Sequence, residues 1–198
     1  MNFRTLNKND MELILKWRST CPEALRTTFS LTLENQLDFY NNVVANRNSN
    51  ARWWGIYIDK LFSDEMNSGI EELLIGYCAI ENISWENRNG EISLLIDPQY
   101  HGKGYGKQAV EILLDKGFNF LNLDNIYGEC YFSNHAISFW EKIIKQYNGS
   151  DAILPNRKYF NGQYYNALYF SINKDDYKHS LIKYDNIQFS ECEMNNCD

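Results

Sequence analysis

The chain has 198 residues, of which 44% are apolar, enough for one domain with a sizeable core. Acidic residues (26) outnumber basic ones (19) and leave a net charge of −7, which argues against a protein that coats nucleic acid through a broad basic face. The five cysteines are scattered singly, without a CxxC pair. They suggest no disulfide framework and no metal site, and they point to a reducing compartment.

The start of the chain, MNFRTLNKNDMEL, has no signal-peptide core, and no apolar run approaches the ~20 residues of a membrane span. The expectation is a soluble cytoplasmic protein without membrane or nucleic-acid partners. Phe3–Leu6 alternates enough for a short strand, and Asn9-Asp10 offers a cap for a helix over Met11–Arg18. A second helical pattern runs over Leu33–Arg47 behind Thr32, a possible cap. Ala51–Asp59 reads as a strand with large aromatics, and the polar stretch Phe62–Glu72 reads as a hairpin loop. Strands follow over Glu72–Ser84 and Glu91–Ile96, separated by the turn WENRNG.

After the second of these comes Gln99–Val110, QYHGKGYGKQAV, with Gly102, Gly104 and Gly106 at alternate positions and Lys103 and Lys107 among them. A helical pattern over Gln108–Leu121 leads out of it, then a strand from near Asn125. The next helix, Ser133–Tyr147, has Ser133 or Asn134 as its cap and ends at Asn148-Gly149. Asn156–Ile172 holds two strands around Asn161-Gly162, a strong hairpin signal. This order predicts an α+β domain over residues 1–173, a mixed, mostly antiparallel sheet flanked by helices. Residues 174–198 read as a polar extension.

Strand, glycine-rich turn and helix together form a device for holding phosphate. Glycines allow backbone N–H groups to turn inward, and the helix N-terminus adds partial positive charge. Two common owners of such a turn do not fit. The P-loop pattern fails because Gly106-Lys107 is followed by Gln108 and position 101 is His. The dinucleotide fingerprint fails on spacing and on its place in the strand order, because Asp124 precedes the next strand instead of ending it.

The segment Gln99-Tyr100-His101-Gly102-Lys103-Gly104 resembles the Q-x-x-G-x-G acetyl-CoA motif of the GNAT superfamily of acyltransferases. The resemblance extends from Gly90 to the helix around Phe139-Trp140-Glu141-Lys142. NGQYYNALYFSI is similar to the closing hairpin of RimJ/RimL-type members, and the helix carrying Lys16–Arg18 to the N-terminal helix of RimL-like and amino-sugar acetyltransferases. It implies a GNAT-like fold and an N-acetyltransferase that uses acetyl-CoA as co-substrate and no metal.

By the same resemblance His101, Gly102, Lys103, Gly104, Tyr105, Gly106 and Lys107 hold the pyrophosphate. Leu94, Leu95 and Ile96 lie along the pantetheine arm, and Asn134, or Ser133 in the alignment on Phe139-Trp140-Glu141-Lys142, touches the cofactor. Glu91 stands where relatives place the carboxylate that takes the amine proton. Trp140 falls where relatives carry the tyrosine that protonates the thiolate; indole is no useful acid, and Tyr131 and Tyr147 are the nearest phenols in sequence.

The acceptor is expected to be an amine of a small molecule such as an amino sugar, or of a peptide N-terminus. It would lie near Trp17, Arg18, Arg26, Trp53, Trp54, Arg157, Tyr159 and Tyr164, in a monomer or homodimer. The alternative implied by Trp140 is a catalytically degenerate acetyl-CoA-binding sensor or partner module.

Overall fold

The computed structural model describes residues 1–27, 29–63 and 68–181. Among them, one sheet runs β1 (Asn2–Arg4), β2 (Arg52–Ser63), β3 (Ser68–Ser84), β4 (Asn89–Ile96), β5 (Asn125–Tyr131), then β7 (Gln163–Asn173) and β6 (Ser150–Phe160). Every neighbouring pair is antiparallel except β4 and β5. The expected α+β architecture is the one observed.

β3 is central, and Leu74, Ile75, Tyr77, Cys78, Ala79 and Ile80 are all buried. Such an unbroken apolar run is what a strand covered on both faces requires. On one face lie α1 (Asp10–Ser19) and α2 (Leu33–Phe39), the latter extended by a π turn over Tyr40–Val44. Met11, Ile14 and Trp17 pack there against Leu74 and Tyr77. The other face carries α3 (Tyr105–Asp115), its π-turn continuation Lys116–Phe120, and α4 (Ile137–Gln146). Val110, Leu113, Leu114, Phe118, Ile143 and Ile144 complete that core. Helices on both faces leave room for a site only where strands part or helices end.

Local chemistry explains most boundaries. Thr32 caps α2 in a reciprocal box with Asn35, whose N–H donates to Thr32 Oγ1 at 3.2 Å. Asn161 (φ 49°) and Gly162 (φ 83°) sit in the left-handed region and close the β6–β7 hairpin as expected. Three readings are corrected. Asn9 makes no side-chain cap; Asp10 instead accepts from Asn7 N at 2.7 Å. The expected loop at residues 62–72 is largely ladder, with Ser63 paired to Ser68, while 64–67 lie outside the described residues. Neither Ser133 nor Asn134 caps α4, which starts three or four residues later: Asn134 Oδ1 accepts from Ala136 N at 2.9 Å, and Ser133 Oγ donates to Glu23 O at 2.7 Å.

Residues 174–181 are helical, and Tyr177 is buried against Phe118 and Tyr147. The packed structure therefore continues past Asn173; the rest of the polar segment, with Cys192 and Cys197, lies outside the described residues. Cys78 and Cys130 are buried, and with Cys21 they are free thiols. Among the described residues no helix is long and apolar enough to cross a membrane.

Candidate active site

β4 and β5 pair only over Asn89↔Asn125, Gly90↔Ile126 and Glu91↔Tyr127. Beyond Glu91, β4 stays with β3 to Ile96 while β5 follows β7 to Tyr131. The two strands diverge and open a cleft of about 1110 Å³. Every second residue of a strand directs its N–H and C=O away from its antiparallel neighbour. Between Ile92 and Ile96 such groups face the gap without a strand to pair with, a strong demand for hydrogen-bonding partners. One is met locally, since His101 Nε2 lies 2.9 Å from Ile96 O. Leu94, Leu95 and Ile96 line the cleft.

The glycine-rich turn closes one end. Asp97 starts it, its carboxylate accepting from Gln99 N at 3.0 Å and its carbonyl from Tyr100 N at 2.8 Å. Gly102 (φ 73°) and Gly104 (φ 83°) take left-handed conformations, and α3 begins at the next residue. A Cβ at Gly102 would meet nothing within 4 Å, so this glycine faces open space, whereas one at Gly106 would meet the Phe139 ring at 3.4 Å. His101, Gly102, Gly104, Tyr105, Gly106, Lys107 and Asn134 line this end. Lys103 does not; its ammonium rests over the Tyr100 ring at 4.8 Å from the centroid. Lys107 lies 3.8 Å from Glu111, one helical turn on. Backbone N–H groups, a helix N-terminus and Lys107 give this rim of the cleft the chemistry that suits an anion.

The opposite end is acidic and aromatic. Glu91 is 5% exposed. Its Oε2 accepts from Asn82 Nδ2 at 2.8 Å, and its Oε1 is paired with Arg26. The same Arg26 nitrogen lies 3.7 Å from Glu129, which Arg157 also grips at 2.8 and 3.4 Å. Tyr127, Tyr131 and Tyr169 complete a side cavity of about 330 Å³ that shares Arg26, Glu91, Glu129 and Tyr131 with the cleft. Burial and then Glu129 push the Tyr131 phenol up, with Arg26 opposing. Burial pushes the Glu81 carboxyl up against the pull of Arg26, Arg18 and a hydrogen bond from Ser93.

Arg26 sits on an irregular segment held from behind. Lys158, 4% exposed, donates to the carbonyl oxygens of Pro22, Glu23 and Leu25 at 2.9, 2.7 and 2.6 Å. Glu81, Glu129, Asn82 and Lys158 are absent from the sequence expectations. A signal existed for Glu129: it alternates with buried Ile126, Gly128 and Cys130, so Tyr127, Glu129 and Tyr131 share the opposite face of β5.

The other expected residues divide. Trp17, Arg18, Arg26 and Trp53 line the cleft, and Arg157 lines the side cavity. Trp54 faces the far side, stacked on Phe3 beneath Lys116, so it is no acceptor contact. Tyr159 and Tyr164 are exposed and pack on each other at the hairpin, outside both cavities. Trp140 touches the cleft edge but is 8% exposed and stacks on Phe170 at 4.9 Å. Of the two nearby phenols, Tyr131 lines the cleft, while Tyr147 is buried against Tyr177.

A family model described as an acetyltransferase (GNAT) domain matches residues 1–138. A spermidine N(1)-acetyltransferase of Escherichia coli (strain K12) is 31% identical over 103 residues, 52% of this chain and 54% of that protein. The corresponding Vibrio cholerae enzyme is 26% identical over 106 residues, 46% of this chain and 61% of that protein. The chain thus spans about half the length of the first of these relatives. Among solved structures, a spermidine N-acetyltransferase from Vibrio cholerae in complex with CoA and spermine superimposes with a TM-score of 0.72. It is 19% identical and covers 89% of this chain and 96% of its own.

Proposed function

This chain belongs to the GNAT acetyltransferase family, and from that premise we propose that it moves an acetyl group from acetyl-CoA to a primary amine of a polyamine or similar small organic cation. The observation that carries the reading is the pair of carboxylates of Glu91 and Glu129, their side chains 6% and 7% exposed, set among tyrosines and continuous with the glycine-rich turn through the β4–β5 gap. The names of the sequence relatives support the acceptor class. This narrows the expected amino sugar or peptide N-terminus. Arg26 and Arg157, two of the cations expected beside the acceptor, are already engaged by carboxylates. Within the family, the closing hairpin and N-terminal helix support a RimJ/RimL-type reading, and the free thiols suit work in the cytoplasm.

The residues present fit the donor. Open space around Gly102 admits a pyrophosphate, and the unpaired β4 backbone from Ile92 to Ile96 matches an extended amide-bearing arm. Acetyl-CoA supplies an acetyl group activated as a thioester. Glu91, buried and aligned by Asn82, takes a proton from the incoming amine. A backbone N–H of the splayed part of β4 polarises the carbonyl oxygen that gains charge. Tyr131, kept protonated by burial, returns a proton toward the departing sulfur. A thiol with a pKa near ~8.5 is in any case a tolerable leaving group as thiolate.

The test is thiol release from acetyl-CoA with spermidine, spermine, an amino sugar and an N-terminal peptide. Turnover with the polyamines supports the reading. Acetyl-CoA binding without release on any amine overturns it in favour of a binding module.

A further inference from the structure

We propose that Arg26 is a resident stand-in for the acceptor's cation, and that exchange of its guanidinium for the acceptor's ammonium selects the substrate. This rests on the acceptor reading above. Arg26 reaches Glu91 and Glu129 with one nitrogen, so a single positive group occupies the point where two buried carboxylates converge. The carboxylates are fixed on strands, with side chains 6% and 7% exposed, whereas the Arg26 side chain is 49% exposed. Its backbone is anchored next door, at the Leu25 carbonyl held by Lys158. The movable member of the cluster is therefore the arginine side chain, which can turn to water without moving the loop.

The pairing poses a chemical problem that exchange resolves. A carboxylate in an ion pair with guanidinium is a weak base, and arginine cannot surrender a proton at ordinary pH. An acceptor arriving as an ammonium can replace Arg26 at the same oxygen atoms and then give up its proton to Glu91. The N–H bond breaks and Glu91 gains the proton; the freed nitrogen lone pair forms the bond to the acetyl carbon, the carbon–sulfur bond breaks with its electron pair going to sulfur as thiolate, and the excess proton left on nitrogen passes to that thiolate to give the thiol. A neutral acceptor has no charge with which to displace Arg26, so the exchange selects cations before chemistry begins. Glu129 keeps Arg157 throughout, which holds the cluster together while Arg26 is away.

Apparent affinity falls by the fraction of time the competent state is populated. If Arg26 occupies the pair about nine-tenths of the time, Arg26→Ala lowers KM for spermidine roughly tenfold. The change appears in KM more than in kcat. Arg26→Lys, which keeps a cation, retains a KM near that of the parent protein and controls for folding. Free guanidinium at millimolar concentration should compete with spermidine in Arg26→Ala much more strongly than in the parent. A KM that rises or stays level in Arg26→Ala, while the parent protein acetylates spermidine, overturns the stand-in role alone. Absence of polyamine binding and turnover in both proteins, with acetyl-CoA binding intact, overturns the acceptor reading and the stand-in role with it.

Discussion

The ammonium of Lys158 on β6 lies 2.7 Å from the carbonyl oxygen of Glu23, a residue 135 positions earlier in the chain. With the carbonyls of Pro22 and Leu25 it makes a three-point anchor, and the rings of Tyr131 and Phe160 stand 5.1 and 5.0 Å from the same charge. The closing hairpin thereby fixes the segment that carries Arg26. Replacement by an isosteric apolar side chain, Lys158→Met, leaves these carbonyls short of a donor. It should cost about 2–4 kcal/mol in urea unfolding, on the scale of hydrogen bonds to a charged group. Protease cleavage within residues 20–27 should accelerate in the same variant.

Gly102 offers a clean test of the anion cradle. A Cβ there meets open space, yet the residue sits at φ 73°. Gly102→Val therefore pays a local conformational cost of about 1–2 kcal/mol and places a branched side chain in the space proposed for phosphate. Calorimetric titration should show CoA binding weakened by about tenfold or more, with polyamine binding little changed. Equal affinity would locate the pyrophosphate elsewhere.

For Glu91→Gln, the expected loss in kcat/KM is on the order of 10²–10⁴. The loss should be greatest at low pH, where the amine is held as ammonium, and should shrink as pH approaches the amine's own pKa. A parallel drop at every pH would sink the role of base. Thermal melting should show that the fold survives, because the amide retains the contact with Asn82.

Tyr131 and Trp140 make a contrasting pair. Tyr131→Phe removes one of the cleft's raised phenols, the one beside Glu129, and should lower kcat more than it raises KM. Trp140→Phe keeps an aromatic ring against Phe170 and should reduce stability by about 1–2 kcal/mol while leaving most of the turnover. With the phenol as donor, the alkaline limb of the kcat profile lies above the ordinary tyrosine pKa, because burial favours the protonated form.

What could be read in advance follows the range of the interactions. The glycine turn, the Asn161-Gly162 hairpin and the Thr32 cap are set by neighbouring residues, so their chemistry is written in a few letters. The Glu91–Arg26–Glu129 cluster joins three segments, with Arg26 65 positions from Glu91, and no local pattern announces it. Ser133 looks like a helix cap in sequence, but its hydroxyl is spent on Glu23. Tyr177 hides in a polar stretch because one aromatic suffices to seat that helix between Phe118 and Tyr147. Trp54 and Trp53 differ by one residue and so point to opposite faces of β2, one toward Lys116 at the end of α3 and one toward α2 and the cleft.

The divergence of β4 from β5 has a consequence for the economy of the whole molecule. Half of the sheet is hydrogen-bonded to the other half through a ladder of three residue pairs, so the gap is a seam in the backbone that the side-chain core alone spans. Any ligand that satisfies both lips of the seam binds the closed fold and not the unfolded chain. By mass action a hundredfold excess over its dissociation constant adds about 2.7 kcal/mol. The melting temperature of this protein should then track the concentration of the proposed acyl donor, and amides on both lips should exchange with solvent more slowly as that concentration rises.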